Sequence, residues 1–165
     1  MLLSPNASQA LLNNIAGKST SAQIGANGNC WLGLFTTLPG DSGTGGVEPS
    51  ASDNYARIEI HSLMNTTYKS FSLGESTATA HDRRIGNVND INFNPAIDPD
   101  DPSAVSGFDW GTIIGIGLFT AQTGGTPYAW GSLTSSITVN TQSTFHMLAG
   151  RLEVILTESG VSLSA

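Results

Sequence analysis

WLGLFTTLPGDSGTGG, residues 31–46, and WGTIIGIGLFTAQTGG, residues 110–125, both carry the string Gly-Leu-Phe-Thr, at 33–36 and again at 117–120. Each copy follows a Trp-containing apolar run and leads into a glycine-rich cluster, the pattern of a strand running into a turn. In an extended chain alternate side chains share a face, so glycine and phenylalanine stand on one side and leucine on the other. The bare glycine leaves room there for a neighbouring ring. Both segments are therefore expected to be core strands of one β-domain.

The composition around them points the same way. A chain of 165 residues is long enough to bury about 70% of its unfolded surface without disulfide or metal, so one domain over 1–165 is expected. Nineteen glycines and only 12% charged residues fit an all-β chain of short strands and tight turns. Near the start, Ser4 is placed to cap a helix with Pro5 at its first position. Ala7, Ala10, Leu11 and Ile15 then recur at helical spacing before Gly17, which predicts one helix over residues 5–16. Its apolar stripe is expected to cover its own sheet, with self-association as the alternative.

The β-core is expected to span 23–157. Its strands fall at 23–37, 55–63, 67–73, around Ile91 and Phe93, and at 110–121, 128–133, 137–139, 145–148 and 152–156. Residues 76–89 are polar without a clear period. In 55–63 the residues Ala56, Ile58, Ile60 and Ser62 share one face, while Tyr55, Arg57, Glu59, His61 and Leu63 share the face read as wet. The run 110–121 suits a strand covered on both sides and pairs with 128–133 across Gly124-Gly125 as a hairpin. Residues 38–52 and the acidic, proline-rich stretch 94–107 read as surface loops. About eight short strands with one N-terminal helix predict a single-domain β-sandwich or jelly roll.

The chemistry offered is thin. With 13 acids against six Lys plus Arg, the net charge of −7 repels a phosphate backbone, so no direct nucleic-acid partner is expected. The first 20 residues hold no positive n-region and no long apolar stretch, so neither export signal nor membrane partner is expected. Cys30, the one cysteine, reads as a buried structural thiol beside Trp31. Gly40-Asp41-Ser42-Gly43 imitates the nucleophile signature of chymotrypsin-like proteases, but Thr44 interrupts it and the first histidine, His61, follows the serine. A turn is the better reading. His61, His81 and His146 lack the paired spacing of zinc ligands. His81, Arg83 and Arg84 form the sole basic cluster and read as a solvated loop, with pairing across a subunit interface as the alternative. Asp98, Asp100 and Asp101 are calcium candidates without a recognised loop spacing. Trp31 and Trp110 read as core; Trp130 and Tyr128 are candidates for a glycan-stacking surface. No catalytic residue, cofactor or metal site is assigned, and the chain is read as non-enzymatic.

The order of these segments carries a resemblance. An N-terminal helix is followed by WLGLFTTLPGDSGTGG (31–46), VEPSASDNYARIEI (47–60), NVNDINFNPA (87–96), WGTIIGIGLFTAQTGG (110–125), AWGSLTSSITVN (129–140) and LAGRLEVILT (148–157). The succession resembles small virion proteins of tailed bacteriophages, often labelled tail fibre proteins, with some similar β-proteins serving as capsid decoration. The resemblance implies a virion structural protein, homo-oligomeric with a trimer favoured, whose partners are the major capsid protein or other virion proteins. On the absence of fibrous repeats, a capsid decoration or cement protein that stabilises the outer shell is the first expectation, and a tail-fibre or baseplate component acting in host attachment the second. The sequence departs from the family pattern at 61–86 and in the acidic loop before Trp110, where such proteins make contacts.

Overall fold

In a computed structural model of the protein, the described residues are 2–3, 30–60, 64–65, 83–87, 89–157 and 160–164. The two Gly-Leu-Phe-Thr strings pair with one another. Strand β2 (Trp31–Phe35) lies antiparallel to β7 (Gly111–Phe119), with Gly33 opposite Gly117, Trp31 opposite Phe119 and Phe35 opposite Gly115. About this Gly33–Gly117 centre the two copies are related by an approximate two-fold. A Cβ on Gly117 would stand 2.5 Å from Phe35 Cε2, and one on Gly33 would stand 2.7 Å from Phe119 Cε2. Each copy's glycine thus holds open the space that the other copy's ring fills.

These strands are the middle of a five-stranded sheet. With β1 (Leu2–Leu3), β3 (Ile58–Glu59) and β8 (Ala129–Val139), its order is β1-β8-β7-β2-β3. A second sheet orders β11 (Gly160–Ser164), β10 (Glu153–Thr157), β5 (Arg83–Asn87) and β4 (Met64–Asn65), and β6 (Ile91–Asn92) pairs with β9 (His146–Met147). Every described pairing is antiparallel, and the sole described helical element is a single 3-10 turn, Ala51–Asp53. The protein is mostly β, as its glycine-rich, charge-poor composition leads one to expect.

Alternation along β2 and β7 sends leucine and isoleucine to the opposite face from the rings. Leu32, Leu34, Ile116 and Leu118 enter the main core with Tyr55, Phe93, Trp110 and Phe145. There Tyr55 meets Trp110 edge-on at 5.3 Å, and Phe93 meets Phe145 edge-on at 5.7 Å, geometries that aromatic quadrupoles favour. On the glycine side, Phe35, Phe119 and Trp130 form a smaller cluster with Trp31 and Leu38 at its margin. From Gly115 to Phe119 every residue of β7 is buried, while Thr112 is exposed, so the covering of both faces expected for 110–121 is found in the second half of the strand.

Several expectations are corrected. Residues 128–133 and 137–139, read as separate strands, are one strand, β8, interrupted by a bulge: Ile113 pairs with Ile137 but Gly115 with Ser132. Residues 133–136 of β8 therefore stand opposite Ile114 alone. A bulge absorbs extra residues without ending the ladder, so the polar run at 134–136 did not mark a break. The turn to β8 is wider than Gly124-Gly125: pairing stops at Leu118 and Ala129, and both glycines sit at positive φ within that connection. Residues 76–89 contain strand β5, paired by backbone to β4 and β10 without a periodic hydrophobic pattern. Strand β11 extends the fold past 157, pairing with β10 as a hairpin. Among the described residues 55–60 of the strand expected at 55–63, Ile58–Glu59 is strand, and its supposed wet face carries the buried Tyr55 and Arg57. The helix expected over 5–16, the strand expected at 67–73, and His61 and His81 lie outside the described residues.

Candidate functional site

The reason Arg57 is buried is that it has a fixed set of partners. Its guanidinium lies 3.3 Å above the centre of the Phe119 ring, and its edge donates to the Glu48 carboxylate from Nε at 3.0 Å and from Nη2 at 2.5 Å. The remaining nitrogen, Nη1, donates to the carbonyls of Ala121 at 2.9 Å and Gly124 at 2.8 Å. A planar fork is suited to bidentate pairing with a carboxylate while stacking on a ring. Glu48 also accepts from Tyr55 Oη at 2.7 Å, and Tyr55 Oη accepts from the Leu34 amide at 2.8 Å. Burial, then the neighbouring Glu48 charge, pushes the Tyr55 hydroxyl far above its usual range, so it stays a neutral donor.

The sequence brings Glu48 there through a return strap. After β2 the chain turns at residues 40–44, where Gly40 N donates to Thr44 O and Gly43 N to Gly40 O, and comes back so that Thr36 N donates to Val47 O and Val47 N to Thr37 O. Glu48 then reaches the open side of Gly33, where a Cβ would stand 2.6 Å from Glu48 Oε1. Only a residue without a side chain admits both that carboxylate and the Phe119 ring. No buried side-chain nitrogen or oxygen among the described residues lacks a partner. The clamp is thus a closed network rather than a set of groups waiting for a ligand.

The other sequence candidates disperse. Ser42 Oγ hydrogen-bonds Thr44 Oγ1 at 2.8 Å, not an imidazole, so the protease-like string is a turn. His146 pairs with Asp90 at 3.3 Å on the surface, where the amide of Ala149 and then His146 hold the Asp90 carboxyl below its ordinary value. In the acidic loop, Asp98 Oδ1 accepts from the Asp100 amide and Asp101 Oδ1 from the amide and hydroxyl of Ser103, which uses these carboxylates to shape turns. No group of three or more His, Cys, Asp or Glu is gathered for a metal among the described residues. Trp110, Trp130 and Tyr128 are buried, which removes the last two from the glycan-stacking candidates. Trp110 Nε1 donates to Asp53 O at 2.7 Å. Cys30 Sγ lies 3.0 Å from Tyr128 Oη, and burial above all raises its thiol above 9.0.

Besides the outer part of β8, where Ser132 and residues 134–138 face solvent, three loops are exposed. Gly40–Gly46 apart from Gly43, the residues from Thr120 to Thr126, and most of 98–107 face solvent, with Val105 79% exposed at the crest of the acidic loop. That crest stands on a fixed base: Ala96 N donates to Ser143 O, Gln142 N to Ala96 O, and Asp109 accepts from Thr141 N and Oγ1. The Arg57 clamp was missed in the sequence because a lone arginine in an alternating strand reads as wet. Its one signal was that it shares a face with Tyr55, whose ring belongs inside.

In this mostly β chain the network of the buried Arg57 and Tyr55 with Glu48 fastens loops to the sheet. The chain belongs to the Gp80 family: the family model described as podophage GP4 fiber I protein gp80 matches residues 3–155. It is thus a structural protein of the tailed-phage virion, as the resemblance implied. No curated protein matches it, and no helix among the described residues is long and apolar enough to cross a membrane.

Proposed function

We propose that this chain is a fibre subunit of a tailed-phage virion, acting without catalysis in host attachment. The observation that carries the reading is the family match over residues 3–155, whose description is that of a fibre protein. The capsid decoration role, the first expectation from the sequence, gains no comparable support. The exposed loops after each Gly-Leu-Phe-Thr string and the acidic loop before Trp110 are the contact regions, held on a β-scaffold as binding loops are. The partners are neighbouring virion proteins and further copies of the same chain, with a trimer as the assembly. In architecture the chain is one β-domain over 1–165 with its two larger sheets layered as a sandwich, a reading supported by the contact of β11 with β8.

Cryo-electron microscopy of the intact particle tests the location. Density for this chain on the tail is expected; density only on the head shell would return the decoration role to first place. Light scattering on the purified chain tests the assembly, and a monomer at micromolar concentration would overturn the trimer.

A further inference from the structure

The two glycine-rich turns belong to opposite ends of one strand pair, since antiparallel β2 and β7 leave the sheet in opposite directions after Phe35 and Phe119. One side chain connects them: Arg57 binds Glu48 at the end of the first turn's return strap and the carbonyls of Ala121 and Gly124 in the second. We propose that Arg57 is a mechanical coupler that makes the two turns one cooperative unit, so that disturbing either turn loosens the other. The inference does not depend on the fibre assignment.

Three features support a coupled rather than an additive arrangement. The Arg57 side chain is 5% exposed, so a partner lost on one side is not replaced by bulk water. It is held by its stack on Phe119, which is itself 2% exposed, so it has no second well-packed position. Glu48 and the Phe119 ring both flank the bare Cα of Gly33, and Glu48 accepts from the Tyr55 hydroxyl that receives the Leu34 amide. A shift of the carbonyls at 121 and 124 thus reaches the strap through one ion pair.

Hydrogen exchange on the full-length chain provides the test, read at amides the perturbed residue does not touch. Gly124 has φ +68°, so Gly124→Ala strains the second turn and displaces its carbonyl. Exchange at the strap amides Thr36, Thr37 and Val47 is then expected to quicken roughly tenfold, the factor for loss of one charge-assisted hydrogen bond. The Trp110 amide, bonded to Val139 O, keeps its wild-type rate and so separates coupling from general unfolding. Glu48→Gln gives the reverse reading, with faster exchange at the Tyr128 amide, which bonds Leu118 O beyond the second turn. In an Arg57→Met background, Gly124→Ala is expected to leave the strap rates unaltered. Strap amides that ignore Gly124→Ala in the wild-type background, together with a Tyr128 amide that ignores Glu48→Gln, would overturn the proposal. If Arg57→Met does not fold, the two single variants decide it.

Discussion

Gly117→Ala adds one methyl group where the fold has left none. The new Cβ would stand 2.5 Å from Phe35 Cε2, 3.1 Å from Phe35 Cζ and 3.2 Å from Phe119 Cε2. The first is closer than real Cβ contacts come and the other two are tight, so the Phe35 ring must move, and both rings are only 2% exposed. Replacing glycine by alanine inside a strand ordinarily gains about 0.5–1 kcal/mol by restricting the unfolded chain. Overpacking a filled core costs about 1–3 kcal/mol. The second effect wins here because Phe35 is trapped between Gly117 and the Gly46 side of the strap, where another Cβ would stand 2.8 Å from Phe35 Cε1. A net loss of about 2 kcal/mol is expected, which for a chain of this size lowers Tm by roughly 4–8 °C. Phe35→Leu removes the ring edge and costs about 1–2 kcal/mol for the lost contacts. In that background Gly117→Ala is expected to cost at least about 1 kcal/mol less than in the wild type, the size of coupling seen between touching residues. Urea denaturation followed by tryptophan fluorescence measures all four species. A stabilised Gly117→Ala, or equal losses in the two backgrounds, would refute the idea that each repeat's glycine exists to seat the other repeat's ring.

Further outcomes follow from single side chains. Asn87 is 0% exposed; its amide donates to Asn89 O and Leu148 O while its Oδ1 accepts from Leu152 N. Asn87→Ala strands those groups and is expected to cost about 2–3 kcal/mol in the same denaturation experiment; a loss under about 0.5 kcal/mol would show the pin to be dispensable. Asp109 is held below its ordinary value of 3.8 by the hydroxyl and then the amide of Thr141. Because the folded value is the lower one, its contribution is complete above about pH 4 and is lost as pH falls through the folded value. Titration by NMR is expected to show Thr141→Val moving Asp109 upward, and no movement would reject that cause. Cys30, with its thiol raised by burial, is expected to react with a disulfide reagent at pH 8 at a small fraction of its rate in urea. Equal rates would mean the thiol is accessible.

The Gly-Leu-Phe-Thr strings were legible because their information is local. A strand needs only alternating residues and a turn needs only glycine, so core strands within 23–37 and 110–121 followed from order along the chain. The surface position of the acidic loop followed in the same way from its prolines and aspartates. Strand β5 was not legible, because Arg83–Asn87 is held by backbone pairing to β4 and β10 and carries no periodic signal. The unity of β8 was hidden by a bulge that only its partner strand defines. Arg57 was misplaced because exposure was assigned by residue type, whereas a charge can be buried when its partners are fixed around it.

The sequence by itself determined a charge-poor, glycine-rich β-chain, its strand-turn segments, and their order along a recognisable phage virion pattern. Those follow from composition and short-range periodicity, which do not depend on distant residues. Only the tertiary structure decided that the two repeats pair through Gly33 and Gly117, so that each glycine's missing side chain is the other repeat's ring pocket. It also decided that Glu48, Arg57, Ala121 and Gly124 meet. Such pairings are set by which strands lie side by side, and steric fit across a sheet leaves no mark on the spacing of either partner alone.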